Sequence, residues 1–179
     1  MIKGLLFCCV ILGSQLVAVG NPTAILETSP LAKARVMGLS LGMSLKDAQA
    51  ILVGWDGELG NPAGRENRSF EKFLPLDGEP YDAQLAPPKG TKYLGEDLKY
   101  LSLYFLPKGN EYQLYALSFG IGGSVERLRA ILTKQFGPGD GIWSGDGRTL
   151  MQNGTEVLLF MDLDRVQAEV WFLKNRQRF

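Results

Sequence analysis

The sequence predicts an α+β domain in which an antiparallel sheet carries two short helices on one face. Two amphipathic segments each follow a serine suited to capping a helix. Runs of alternating apolar and polar residues, separated by short turns, predict antiparallel strands between and after these segments. With 179 residues, the chain is long enough to bury a core in one domain.

The first predicted unit is a strand, a glycine and a capped helix. Val36–Leu41 is short and apolar, and Gly42 follows it. Ser44 is the expected N-cap, and Asp47 is placed to complete a capping box. The helix is expected to bury one face, formed by Ala48, Ile51, Leu52 and Trp55.

The middle of the chain predicts a β-hairpin. Leu98–Leu106 alternates, and Tyr112–Phe119 returns after a turn at Pro107–Asn110. Alternation places one set of residues on one face of the hairpin: Leu101, Leu103, Phe105, Tyr115, Leu117 and Phe119. The opposite face of the first strand carries Tyr100, Ser102 and Tyr104.

A second helix is predicted after the hairpin. Ser124 is its expected cap, and Gly137-Pro138 is expected to end it. Its expected buried face consists of Val125, Leu128, Ile131, Leu132 and Phe136.

The C-terminal part predicts three strands after a turn-rich segment, Asp140–Gly147. The strands are Arg148–Gln152, Thr155–Asp162 and Arg165–Leu173. Asn153-Gly154 is a dipeptide typical of two-residue hairpin loops.

The N-terminus predicts a signal peptide over residues 1–20. Lys3 provides a positive charge, Leu5–Leu12 an apolar core, and small residues precede Asn21. A membrane anchor is the alternative, although the apolar run is shorter than the ~20 residues that span a bilayer. Cys8 and Cys9 fall inside this segment, so the mature protein is expected to contain no cysteine.

Residues 21–35 are interpreted as a lead-in and 36–179 as a single domain. Its first half, 36–120, contains a long turn-rich insertion, 56–95, in which only Phe70–Leu76 is expected to be regular. Its second half is 121–179.

The two halves also suggest a loose tandem repeat of a β-Gly-α-β-β unit. Leu39–Gly42 resembles Leu117–Gly120, and Ala50–Leu52 matches Ala130–Leu132. The alternative is that capped amphipathic helices following strands look alike without a common origin.

The composition excludes several functions. There is no histidine, and cysteine occurs only in the predicted signal, which excludes histidine-based catalysis, thiol chemistry and ordinary zinc sites. Basic and acidic residues balance at 19 each, which argues against nucleic-acid binding. No cofactor motif is found, and the protein is expected not to be an enzyme.

Carboxylates are the remaining candidates for chemistry. Asp140, Asp146, Asp162 and Asp164 could supply oxygen ligands to calcium, but their spacing does not match an EF-hand and turns explain them better. Glu156 and Glu169 could form a catalytic pair on neighbouring strands, although solvated strands commonly carry such residues. No metal site is therefore predicted.

Aromatic residues give the predicted binding surface: Tyr100, Tyr104, Tyr112, Trp143 and Trp171. Tyrosine and tryptophan are enriched at interface hot spots. The alternative is that these rings pack inside the protein. Trp143 is expected to be exposed, and Trp171 to be packed.

The segment LGMSLKDAQAIL resembles the opening signature of two kinds of small exported domain, the outer-membrane assembly lipoproteins of the BamE/SmpA type and the β-lactamase inhibitor protein. The matching residues are Gly42, Ser44, Ala48, Leu52 and Gly54. Val125–Trp143 looks like a degenerate second copy. The resemblance implies a binding module that presents a sheet face and loops to another protein.

The sequence thus favours a periplasmic or secreted non-enzymatic interaction module whose partner is another envelope or secreted protein. After removal of the signal, no membrane span is expected, and the oligomeric state is left open. A binder of small ligands or cell-envelope glycans, using Trp143, Tyr100 and Tyr104 around a groove, is the alternative. An enzyme that uses carboxylates alone is the third possibility.

Overall fold

The structure, a computed structural model, describes residues 30–61, 64–74 and 78–162. The predicted signal peptide, most of the lead-in and the predicted strand Arg165–Leu173 lie outside the described residues. The described part contains a nine-stranded antiparallel sheet and two α-helices, which confirms the α+β class.

The sheet pairs strands that are consecutive in the chain at four of the seven positions along its main path and non-consecutive strands at the other three. Its order is β2-β1-β3-β5-β6-β9-β8-β7, and β4 pairs with β5 beside this path. The strands are β1 Asp56–Asn61, β2 Gly64–Ser69, β3 Tyr81–Ala86, β4 Lys92–Tyr93, β5 Glu96–Lys108, β6 Glu111–Ile121, β7 Ile142–Gly145, β8 Arg148–Asn153 and β9 Glu156–Met161. The helices are α1 Leu45–Ile51 and α2 Val125–Phe136, and Pro30–Lys33 and Phe70–Lys72 form 3₁₀ turns.

The β5–β6 hairpin is the long centre of the sheet, and its prediction is confirmed. Leu101, Leu103 and Phe105 have no exposed surface and pair with Phe119, Leu117 and Leu114. These residues define the core face of the sheet. The connecting turn is shorter than predicted, because β5 runs to Lys108 and only Gly109-Asn110 remain between the strands.

Tyr115 does not share the face of Leu117 and Phe119, so that part of the prediction is wrong. The register shifts between Tyr104, which pairs with Ala116, and Phe105, which pairs with Leu114. Tyr115 is therefore the extra residue of a β-bulge, which reverses its direction. Its ring packs edge-on to Tyr104, with centroids 6.4 Å apart, on the opposite face, here called the outer face.

Helix α1 begins at a serine cap. The Asp47 amide donates to Ser44 Oγ at 3.1 Å, and Ser44 Oγ in turn donates to Asp47 Oδ2 at 2.7 Å. Leu45, Ala48 and Leu52 are buried, whereas Ile51, expected in the core, is exposed. At 100° per residue, Ile51 falls outside the arc that the other three define.

Helix α2 has the same kind of start. Ser124 Oγ accepts from the Arg127 amide at 3.2 Å, and Gly137, with φ of 89°, caps the end. Leu128 and Leu132 belong to the cluster of buried residues that includes Ala48 and the core face of the sheet. Both helices thus lie on one face, as predicted. The side chain of Val125, expected to be buried, is exposed. The Val125 carbonyl accepts a hydrogen bond from Gln152 Nε2.

The segment predicted as the first strand, Val36–Leu41, forms a tight turn instead. Val36 and Leu39 exchange both backbone hydrogen bonds at 2.9 Å. Met37 and Gly38 between them have φ of 53° and 86°, the signature of a type I′ turn. Leu39–Gly42 therefore differs in structure from Leu117–Gly120, which lies within β6, and the tandem repeat stays a prediction.

The insertion 56–95 is more regular than predicted, since it contributes β1–β4 to the sheet. The expectation that only Phe70–Leu76 is regular was wrong. In β3 every second residue is buried, namely Tyr81, Ala83 and Leu85. The sequence of β1 did not predict a strand, because Leu59 is its one large apolar residue and the others are glycine, charged or polar.

The turn-rich segment Asp140–Gly147 also contains a strand, β7, which the sequence reading missed. The turn itself is limited to Asp146 and Gly147, both with positive φ. The next loop is Gly154-Thr155 and not Asn153-Gly154, because Asn153 pairs with Glu156.

The first described residues lie against the β7–β8 hairpin. The 3₁₀ turn Pro30–Lys33 packs beside β7 and β8, where Leu31 enters the core. Arg148 Nη1 donates to the Leu31 carbonyl at 3.5 Å, joining residues 117 positions apart.

An aromatic cluster fills the core side between β3 and β5. The ring of Tyr81 is stacked on Phe105, with centroids 4.9 Å apart, and is tilted against Phe73 at 5.1 Å. Its hydroxyl is buried without a hydrogen-bond partner in the described part of the chain. Burial, with a smaller effect of neighbouring Tyr112, raises the pKa of Tyr81.

We predict that Tyr81→Phe raises the free energy of unfolding at pH 7 by about 1 kcal/mol, because it removes a buried hydroxyl that lacks a partner. Tyr93→Phe is the matched control. The Tyr93 hydroxyl donates to the Arg35 carbonyl at 3.0 Å, so its loss should cost about 1 kcal/mol. Urea denaturation of both variants checks the opposite signs, and equal losses would contradict the prediction.

Candidate interaction surface

The structure divides the predicted aromatic surface. Trp143 is only 5% exposed and lies in the core, where its Nε1 donates to the Gly137 carbonyl at 2.8 Å, contrary to the expected exposure. Tyr112 packs against Tyr81 in the core-side aromatic cluster, with centroids 5.5 Å apart. Trp171 lies outside the described residues.

Tyr100 and Tyr104 do lie together on the outer face, and the bulge adds Tyr115 to them. Tyr100 pairs with Gly120, and a Cβ on that glycine would lie 2.6 Å from the tyrosine ring. A side chain at Gly120 would therefore displace the ring. The sequence gives no signal for Tyr115, because a bulge changes the alternation by one residue.

Glu156 is the charged neighbour of this tyrosine group. It pairs with Gly120 on β6, which in turn pairs with Tyr100 on β5. Burial, and after it the charge and hydrogen bond of Glu156, raise the pKa of Tyr100. Glu169, the expected partner of Glu156 in a carboxylate pair, lies outside the described residues.

A second group on the outer face is apolar. Ile142, Met151 and Leu158 pair in one row across β7, β8 and β9, and we call this row the apolar stripe. Ile142 is 56% exposed and Met151 39% exposed, whereas Leu158 is half-buried. The sequence signal was the unbroken apolar run of β9, which must place apolar residues on both faces of the sheet.

The row changes character across the sheet. Leu158 pairs with Ser118, which pairs with Ser102 and then Gln84. This one row is therefore apolar over β7–β9 and polar towards β3, whereas the next row on the same face is Ser144, Thr149 and Phe160. Neither α1 nor α2 lies on this face, since the buried residues of both helices belong to the core cluster.

The aspartates weighed as calcium ligands do not converge. Asp162 Oδ1 accepts from Thr149 Oγ1 at 2.8 Å, and Asp140 and Asp146 are exposed at opposite ends of β7. Asp164 lies outside the described residues. Among the residues that the structure describes, no three acidic, histidine or cysteine side chains are close enough to hold a metal ion.

Within the described ranges, neither helix has the length and apolar character needed to cross a bilayer.

Comparisons of the chain with protein families, with curated proteins and with solved structures find no match.

We predict that Glu156→Gln lowers the pKa of Tyr100 towards its ordinary value of 10.0, because the neighbouring negative charge disappears while the burial remains. The sign for stability follows from the raised pKa of the folded state. Tyr100 contributes stability that is complete below pH 10 and is lost as the pH rises through its folded pKa.

A pH titration of the tyrosine ring carbons by NMR, with Tyr100→Phe to assign the signal, measures this change. Glu111→Gln is the control, since Glu111 lies at the far end of the hairpin beside Lys108. An equal pKa of Tyr100 in Glu156→Gln and wild type would show that the carboxylate does not act on the phenol.

Proposed function

We propose that the protein is an exported, periplasmic or secreted, non-enzymatic module that binds another protein through the outer face of its sheet. The observation that supports this proposal most is the apolar stripe, Ile142–Met151–Leu158, on a face that carries no described helix. The solvent-facing side of an antiparallel sheet is normally polar. Contiguous exposed apolar residues are typical of interaction sites.

The neighbouring tyrosines add to this support. Tyr100 and Tyr104 place two partly exposed rings near the stripe, on β5. Tyr115, only 5% exposed, packs against Tyr104 and supports its ring. Such rings provide rigid apolar area with little loss of side-chain entropy on binding. The resemblance to small exported binding domains and the loose tandem repeat remain part of the same proposal.

The composition supports a non-enzymatic role, because no histidine is present and the cysteines fall only in the predicted signal. The alternative of a glycan groove loses its main stacking residue, since Trp143 is buried in the core. The protein-binding proposal does not depend on Trp143.

We predict that Met151→Glu lowers retention of the partner at least about tenfold, because a carboxylate would have to be buried in an apolar interface. The tagged chain is used to capture proteins from a native envelope extract, and binding is then measured with the purified partner. Val53→Glu is the matched control, because Val53 is 65% exposed and lies just beyond α1, away from the stripe.

Retention by wild type and Val53→Glu, with loss in Met151→Glu, would support the outer face as the binding surface. Equal retention by all three chains would place the binding surface elsewhere and overturn the proposal as stated.

A further inference from the structure

The two edges of the sheet differ in how they resist pairing with another strand. Edge strand β2 (GRENRS) is rich in charge, and there Arg68 forms an ion pair with Glu66. Charged side chains are a common protection of sheet edges. Edge strand β7 (IWSG) contains no charge and carries the exposed Ile142. The β7 edge is therefore the less protected of the two.

The hydrogen-bond phase of β7 identifies which backbone groups face outwards. The two-residue loop makes Gly145 and Arg148 a hydrogen-bonded pair, and antiparallel pairs of this kind alternate with non-bonded ones. The Gln152 amide donates to the Gly141 carbonyl at 2.7 Å, as expected if Gly141, Trp143 and Gly145 are the residues of this strand that bond to β8. The N–H and C=O groups of Ile142 and Ser144 therefore point away from β8, towards the side on which no described strand lies.

Two carboxylates bracket this edge. Asp140 lies two residues before Ile142, and Asp146 follows Gly145 at the turn. Both side chains are exposed, and neither forms an ion pair within the described ranges. A strand added here would have both of its ends beside a negative charge.

This charge pattern discriminates between possible occupants. Antiparallel pairing of β7 with β7 of a second copy, Ile142 opposite Ser144, would bring each Asp140 close to an Asp146, and like charges at opposed positions are destabilising. Residues 21–29 of the chain contain Glu27 and no lysine or arginine, so they do not complement the edge either. A basic segment fits better. Residues 163–179 contain Arg165 and Lys174, so protection of the β7 amides in the free chain would show that they, and not a partner, occupy the edge.

We propose that the β7 edge binds an extended segment of a partner protein by strand addition. The segment pairs antiparallel to β7 through the Ile142 and Ser144 backbone groups, places an apolar residue beside Ile142, and carries a basic residue near each end. Main-chain bonds supply affinity in this mode, and alternate side chains supply specificity. The inference deepens the proposed function by naming the edge and the partner chemistry.

The test uses a labelled peptide, Arg-Thr-Val-Thr-Val-Thr-Arg, and the full chain, with binding followed by fluorescence anisotropy. In the proposed register its two valines face Ser144 and Ile142, beside the apolar stripe. Ser144→Pro removes an outward N–H that forms no hydrogen bond within the described part of the chain, and proline is tolerated on edge strands. We expect it to weaken binding at least about tenfold, whereas Ser144→Ala should change affinity less than about twofold.

Charge recognition is tested separately. The peptide Glu-Thr-Val-Thr-Val-Thr-Glu should bind wild type much more weakly, and the double variant Asp140→Asn/Asp146→Asn should bind the arginine peptide about three- to tenfold more weakly. Hydrogen exchange measured by NMR should show the Ile142 and Ser144 amides unprotected in the free chain and protected in the complex.

Equal binding to wild type and Ser144→Pro, or to both peptides, would overturn the proposal. So would protection of the Ile142 and Ser144 amides in the free chain, because another segment or a second copy would then occupy the edge. The peptide assay involves no captured partner, so its failure can be distinguished from failure of the Met151→Glu capture experiment.

Discussion

The pairing of β5 with β6 is the constraint on which the rest of the structure depends. Leu101, Leu103 and Phe105 on one strand meet Phe119, Leu117 and Leu114 on the other, all almost completely buried. Each such side chain contributes roughly 1.5–3 kcal/mol when removed from water. Both helices pack on this surface, and β3 and β9 extend the sheet from its two sides. The choice of core face by the hairpin therefore determines which residues of every other strand face outwards.

The bulge at Tyr115 places this side chain on the outer face of the hairpin and not on its core face. Without the extra residue, Tyr115 would follow the alternation of Leu117 and enter the core. With it, Leu114 keeps its place beside Phe105 while Tyr115 joins Tyr104 on the outer face. One inserted residue thus gives Tyr104 an aromatic neighbour on the outer face, itself only 5% exposed, without a loss of core packing.

The predictability of each element from sequence depended on how local its signal was. The β5–β6 hairpin and the two serine-capped helices were predicted correctly, because alternation, helical periodicity and capping act over a few residues. Strand β7 was not predicted, because the glycines and aspartates around it are typical of turns. The turn at Met37-Gly38 was not predicted either, because Met37 is apolar and residues of that kind rarely adopt a positive φ.

The candidate site was harder to predict than the fold. The run Val157–Met161 is apolar throughout, and sequence alone cannot say that Leu158 faces Met151 and Ile142 on the outer side. Likewise, Trp143 in a glycine-rich segment suggested exposure, whereas its indole has a specific acceptor in the Gly137 carbonyl. The position of Leu158 follows from strand order, which depends on contacts between distant residues, whereas the indole bond is local and depends on the backbone path between Gly137 and Trp143.

The contact between Arg148 and Leu31 has a consequence for how the protein reaches this state. It joins segments 117 positions apart, and the strands that Leu31 packs beside, β7 and β8, are among the last of the described chain to be synthesised. Contacts of such long range slow folding, because a large loop must close before they contribute. The hairpin can form early, but the core cannot close until β9, which contributes Val157 and Leu159, has been synthesised. Until then β7 and β8 have no connection to the central hairpin, because β9 is the strand that lies between β8 and β6.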